Sequence, residues 1–503
     1  MVTAAFWVTG VLSGVCSMVR VLGLKLTLLL GGRVSAFGLV LALAATGAAP
    51  ALAQGVPPEL QDAWRATRLS ENDVSIVVQE LNGPRLIAIN PAQPRNPASV
   101  MKMVTTWTAL SGLGPEYQWR TAFYAQGDGR PDDQGTLRGP LYLKAGGDPF
   151  LSVEELWSLL RELRLRGIKN LTEVIVDRTL FGPVAIDTGA FDNAPDRPYN
   201  ASPDALMVGL GAVRLSFQPD PAARKWVPVI DPPSRNVRIS GEVAWSDQVC
   251  PGSPRVGTVV VPSGNGATIQ VSGMAAGSCG EFSVYRVALS QPDHFETLFR
   301  TIWKELGGTL AKGLRDGTTP SRATLVAWHD SETLSDTIRH VNKHSNNVMA
   351  RALLLTLGAE KAGKGATSQS GAQAAMAILR EQGIDTRGWL LDNGAGLSRD
   401  ARLTADGLAA MLNVAWNSPL MPEFMSSLAI VGVDGTVRRR LRSDEARGRA
   451  HLKTGTLRDV RAVAGYVLGA SGRRYLMVSM ANGERSTAIR AFDDALISWL
   501  SER

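Results

Sequence analysis

Strand-like segments lie toward both ends of the chain, with helical segments between them. DVSIVVQE (73–80) and RLIAIN (85–90) are β-like runs joined through Asn82-Gly83, a strong hairpin cue. RAVAGYVLGASGRRYLMVSMA (461–481) reads as a second hairpin, turned at Ser471-Gly472, and an amphipathic helix closes the chain at 486–501. Helical patterns occupy 293–306, 331–357, 370–382 and 404–416. This arrangement predicts one sheet assembled from N- and C-terminal segments, with the middle of the chain as an insertion.

The insertion has two characters. An amphipathic helix over 152–167 begins at Ser152, with Glu155 three residues on as a capping box, and EVIVD (173–177) is a short strand. From about 216 to 289, Gly, Ser, Pro and Val dominate, and NVRIS, GTVVV, ATIQVSG and FSVYRVAL predict a small β subdomain. A length of 503 residues accommodates two or three domains.

The formal net charge is +7. Residues 1–53 hold Arg20, Lys25 and Arg33 and no acid, so the remainder carries 50 basic and 46 acidic residues. That mild excess gives no argument for a nucleic-acid partner. The same 53 residues read as a signal peptide. Basic positions precede AFGLVLALAATGAAPALA, and Ala51-Leu52-Ala53 is a small-x-small cleavage signal. Met18 is an alternative start. The expected location is the periplasm, with loose membrane association left open. Cys16 leaves with this segment. Cys250 and Cys279 either form a disulfide, closing a loop of about 30 residues worth ~3–4 kcal/mol, or stay free thiols. Neither has metal-site spacing.

Three short motifs carry chemistry. Ser99-Val100-Met101-Lys102 follows Pro97 at a helix start, so the hydroxyl and the amine share a helix face, and a lowered amine pKa would let the lysine take the serine proton. In HVNKHSNNVMARALLL, Ser345-Asn346-Asn347 interrupts a helical pattern and offers a second hydroxyl and a side-chain amide. Lys453-Thr454-Gly455 stands directly before the C-terminal hairpin, at an expected sheet edge, where glycine permits close approach and backbone N–H groups can face an oxyanion. The bland readings are a surface lysine, a helix cap and edge protection. The three together, in this order, are the set found in penicillin-binding proteins and β-lactamases.

With LYLKAGGDP (141–149), VNKHSNNVMARALLLTLG (341–358) and DNGAGLSR (392–399), the chain resembles the D-alanyl-D-alanine carboxypeptidase/endopeptidase family of the penicillin-binding protein 4 type, over about residues 57–503. The resemblance implies a multi-domain α/β fold: a penicillin-binding/β-lactamase-like transpeptidase domain, an antiparallel sheet flanked by helices, from 57–125 and 290–503. Between these it implies an inserted α/β domain at 126–215 and a β-rich subdomain at 216–289. It implies a serine peptidase acting on peptidoglycan peptides and acylated by β-lactams, with no metal or organic cofactor. Ser99 would be the nucleophile, Lys102 its base, Ser345 and Lys453 the proton relay, and Asn347 a substrate amide contact. Lys453 and Thr454 would bind the terminal carboxylate, and the N–H groups of Ser99 and Thr456 the oxyanion, with Gly455 between. Asp177, Phe181 and Arg399 would form the pocket for the diaminopimelate end. Arg458-Asp459, where the family pattern has glutamine-glycine, is a departure.

Other patterns do not develop. LGAEKAGKG (357–365) continues into Gly365 rather than the Ser or Thr of a phosphate loop. His340 and His344 lack the glutamate of a zinc helix, and no G-x-S-x-G elbow occurs.

Overall fold

A computed structural model describes residues 55–503. The signal-peptide reading of 1–53, with Met18 and Cys16, lies outside the described residues. The principal sheet has six antiparallel strands in the spatial order Ala429–Ile430, Ala450–Leu457, Val460–Leu468, Arg474–Asn482, Val74–Glu80, Arg85–Ile89. The N- and C-terminal segments join where Val74 pairs with Ala481 and Glu80 with Tyr475. Asn82 adopts φ 59° in the first hairpin turn and Gly472 φ 82° in the second.

Both faces of this sheet are covered, so its central strands read as nearly continuous apolar runs. Ile76, Val78, Val463 and Met477 point to one face, against Ile489, Phe492 and Leu496 of the C-terminal helix Ile489–Ser501. Val77, Ala464 and Val478 point to the other, against Met103, Trp107, Leu408 and Leu412 of helices Met101–Leu113 and Ala405–Trp416.

A second sheet, of five strands, runs Leu314–Asp316, Val174–Asp177, Leu141–Lys144, Arg120–Ala125, Thr324–Asp330. Helices Val153–Leu165, capped by Ser152 and Glu155 in a reciprocal box, and Gln291–Glu305 pack on it. This unit therefore draws in Arg120–Ala125, Leu314–Asp316 and Thr324–Asp330, outside the 126–215 expected for the inserted α/β domain. The reason is the ladder between Arg120–Ala125 and Thr324–Asp330, two segments some 200 residues apart whose pairing no local pattern announces.

The β-rich part comprises a three-stranded sheet (Phe282–Arg286, Val213–Asp220, Lys225–Asp231) and a four-stranded sheet centred on Gly266–Ala276. They share a small core around Phe217, Trp226, Ile269 and Val271. Cys250 and Cys279 are disulfide-bonded, which decides against the free thiols. Among the described residues, no helix is long and apolar enough to cross a membrane.

Candidate active site

The turn before helix Met101–Leu113 is held from three sides. Asn96 accepts the Ala98 N–H at 2.9 Å through Oδ1 and donates through Nδ2 to the Ser398 carbonyl at 2.8 Å. Its backbone exchanges two hydrogen bonds with the side chain of Asn482, at 2.8 and 3.0 Å. Ala98 is thereby kept at φ 46°, a left-handed conformation that alanine adopts only at a cost. Gly396 closes over it, since a Cβ there would stand 1.8 Å from the Ala98 carbonyl oxygen. Ser99 follows, partly exposed, while Pro97, Ala98 and Val100 are buried.

One helical turn below, Lys102 is fully buried. Its Nζ lies 3.0 Å from Ser99 Oγ, 2.7 Å from Asn347 Oδ1 and 2.5 Å from the Ala395 carbonyl oxygen. Two of these partners only accept, and the third can donate. A neutral amine has two N–H groups and one lone pair, so this set suits the neutral form, with the lone pair facing the serine hydroxyl. Burial, and then the charges of Lys453 and Arg351, hold the amine well below the usual lysine range.

Ser345 and Asn347 reach the site because two helices break there. Ser345 ends helix Leu334–His344 at φ 57°, and Asn346 caps helix Asn347–Ala362 by accepting the N–H groups of Val348 and Met349. Lys453 Nζ contacts Ser345 Oγ at 2.8 Å and donates to the Thr454 carbonyl at 2.7 Å. Burial pushes the Lys453 amine down to about 7.

Lys453 does not precede the strand but lies within it. The short strand Ala429–Ile430 pairs only with His451 and Leu452, so the segment after Leu452 is open on that side. Thr436, in the loop after Ala429–Ile430, meets Thr454 there, hydroxyl to hydroxyl at 2.8 Å. Gly455 lets the strand press on the turn that carries Ser99: a Cβ would be 2.4 Å from the Pro97 carbonyl oxygen. Thr456 follows it and is exposed.

Ser99, Lys102 and Asn347 thus form one connected set, and Ser345, Lys453 and Thr454 another. Among the described contacts, none joins Asp177, Phe181 and Arg399 to one another. Asp177 ends its strand and accepts from Thr179 N at 3.1 Å, Thr179 Oγ1 at 2.6 Å and Thr319 N at 2.8 Å. Burial raises this carboxyl, but those hydrogen bonds outweigh it and hold it below the ordinary aspartate value. Phe181 belongs to the core of the five-stranded unit, against Gly147. Arg399 instead donates to Asp459 at 3.2 Å and lies over Phe191, 4.6 Å from its centroid. Phe191 packs with Ala98, Leu457 and Val460, beside the turn that carries Ser99.

Sequence reasoning missed Arg351, Ala395, Thr436, Phe191 and Asn96. Arg351 left a signal: a cation four residues beyond Asn347, on the same face of an otherwise apolar helix. The other four carried none, because their roles depend on backbone groups or long-range contacts. Among the described residues, no group of three His, Cys, Asp or Glu is placed to hold a metal.

The model of the D-Ala-D-Ala carboxypeptidase 3 (S13) family matches residues 58–503. A D-alanyl-D-alanine carboxypeptidase of Actinomadura sp. (strain R39) is 28% identical over 478 residues, covering 91% of this chain and 87% of that relative. Among solved structures, penicillin binding protein 4 of Haemophilus influenzae superposes with a TM-score of 0.71 at 23% identity, over 88% of this chain and 99% of that one; it has also been solved with a β-lactam. A predatory endopeptidase of Bdellovibrio bacteriovorus, in complex with an immunity protein, gives a TM-score of 0.50 at 14% identity, over 86% and 94%.

Proposed function

The chain belongs to the D-Ala-D-Ala carboxypeptidase S13 family and is a serine-type hydrolase; from that premise we propose that it acts in the periplasm on peptidoglycan stem peptides and on D-Ala–meso-diaminopimelate cross-links, through an acyl-enzyme on Ser99 that penicillin also forms. The observation that carries this reading is the Lys102 amine, 3.0 Å from Ser99 Oγ and held by two carbonyl oxygens.

Neutral Lys102 takes the Ser99 proton as Oγ bonds to the carbonyl carbon of the penultimate D-alanine. The N–H groups of Ser99 and Thr456 receive the oxyanion. Asn347 donates to the substrate peptide. Lys453 and Thr454 hold the terminal carboxylate, and Lys453 passes a proton through Ser345 to the leaving nitrogen as the C–N bond breaks. Water then attacks the ester carbonyl and gives a proton to Lys453, while the bond to Oγ breaks and Ser99 takes back the proton held on Lys102. Carboxypeptidase and endopeptidase turnover share the acylation. They differ only in whether the departing amine is free D-alanine's or belongs to a second peptide. Arg399, with Asp459 and Phe191, borders the peptide side chain, while Asp177 and Phe181 act at longer range through the strand end and loop that they fix.

Mass spectrometry of purified muropeptides after incubation tests this reading. Loss of a terminal D-alanine from pentapeptides and opening of cross-linked dimers are expected as separate mass changes. Unaltered pentapeptides and dimers would overturn it.

A further inference from the structure

Arg351 is 6% exposed and makes no ion pair with a carboxylate among the described contacts. Its guanidinium donates to the Ala201 carbonyl at 3.0 Å and the Tyr199 carbonyl at 3.4 Å. The Tyr199 carbonyl is also the acceptor for Asn347 Nδ2, at 3.3 Å, while the other end of that amide accepts from Lys102. One continuous chain therefore runs from Arg351 through Tyr199, Asn347 and Lys102 to Ser99. The far side of the loop is braced too, since Tyr199 Oη and Asn200 Nδ2 both donate to Asp192 at 2.8 Å.

A buried cation with no carboxylate in contact is costly unless it does something the fold or the site requires. Here it shares a buried region with two lysines. A guanidinium keeps its proton far more tenaciously than an amine, so repulsion among the three is relieved at a lysine. We propose that Arg351 is a positioning residue for acylation: it fixes the 199–201 loop beneath Asn347, and its permanent charge disfavours a proton on Lys102, leaving that lysine free to act as the base. The proposal rests on the function assigned above. The charged groups facing Lys102 are Lys453, from strand Ala450–Leu457, and Arg351, from helix Asn347–Ala362; Asp392, on an exposed loop, faces Arg351. Burial lowers the guanidinium to about 10, which still leaves it charged at neutral pH.

The test is the pH dependence of Ser99 acylation by a fluorescent penicillin, for wild type, Arg351→Gln, Arg351→Lys and Asp392→Asn, with thermal melts alongside. A base must be unprotonated, so the rate rises with pH through the Lys102 pKa. Removing a neighbouring cation raises that pKa, and in Arg351→Gln the rising limb should move to higher pH by about half a unit or more, lowering the rate ~3-fold or more on that limb and recovering above it. Arg351→Lys, whose amine gives up its proton more readily than a guanidinium, should leave the limb between those of the wild type and Arg351→Gln. A folded Arg351→Gln whose limb stays put, or whose rate falls equally at every pH, overturns the proposal. Should that variant not fold, Asp392→Asn decides. Exposing Lys102 to a less offset Arg351 should move its limb to lower pH, and a limb that stays or moves upward contradicts the proposal. Failure of wild-type Ser99 to label would instead sink the functional reading itself.

Discussion

Gly455 and Ser99 face each other so closely that a Cβ on the glycine would lie 3.1 Å from the serine amide nitrogen. The contact joins strand Ala450–Leu457 to the turn that carries Ser99, against the Pro97 carbonyl, the Ala98 methyl and the Ser99 amide. It sets the spacing between the Ser99 and Thr456 amides, to which the proposed mechanism assigns the oxyanion. Gly455 is not in a positive-φ conformation, so space rather than backbone strain demands glycine there.

Gly455→Ala should therefore push the strand from the turn while leaving the fold in place. Overpacking of this kind costs about 1–3 kcal/mol of stability. Misplacing an oxyanion donor costs about 100-fold or more in rate. Penicillin acylation measured beside a melting curve separates the two effects. Near-normal acylation in the alanine variant would show that the contact is not what aligns the site.

Lys453 gives a prediction about stability against pH. Its folded pKa, about 7, lies below the unfolded value of 10.5, so the unfolded chain binds more protons between those two values. Its contribution to stability therefore rises with pH through that window, and its full penalty applies below about 7. Lys453→Met should be inactive yet more stable than wild type at pH 6, by about 1–4 kcal/mol, with the difference shrinking toward pH 10. Denaturant melts across this range provide the check. A variant less stable than wild type at pH 6 would contradict a charge held at a cost for function.

Asp459 occupies the Arg399 guanidinium, and both are about half exposed. Such a pair is worth roughly 0–1 kcal/mol, so stability is a poor readout and selectivity a good one. Asp459→Asn frees the arginine. It should lower KM for peptides whose side-chain end bears a carboxylate, about 3-fold or more relative to peptides lacking it. Equal KM changes for both peptides would remove Arg399 from side-chain recognition.

The split sheet was legible because its strands carry strong period-two and apolar patterns and sit at opposite ends of the chain. The three motifs were legible because Ser99 and Lys102 are one helical turn apart and the others interrupt regular patterns. What stayed hidden depends on contacts between distant segments. The ladder from Arg120–Ala125 to Thr324–Asp330 moves the edge of the inserted unit. The Asn96–Asn482 exchange strains Ala98 across 386 residues of chain. The Ala395 carbonyl has no side-chain signature at all. Nothing local announced that Asp459 would lie within reach of Arg399, or that Asp177 would accept from Thr179 and Thr319.

The whole mechanism turns on Ser99 being the acylated nucleophile. Incubation with penicillin, followed by intact mass and peptide mapping, tests it most directly. One penicilloyl adduct on the peptide containing Ser99, absent from a folded Ser99→Ala variant, is the predicted result. An adduct on another residue, or one that survives Ser99→Ala, would contradict it.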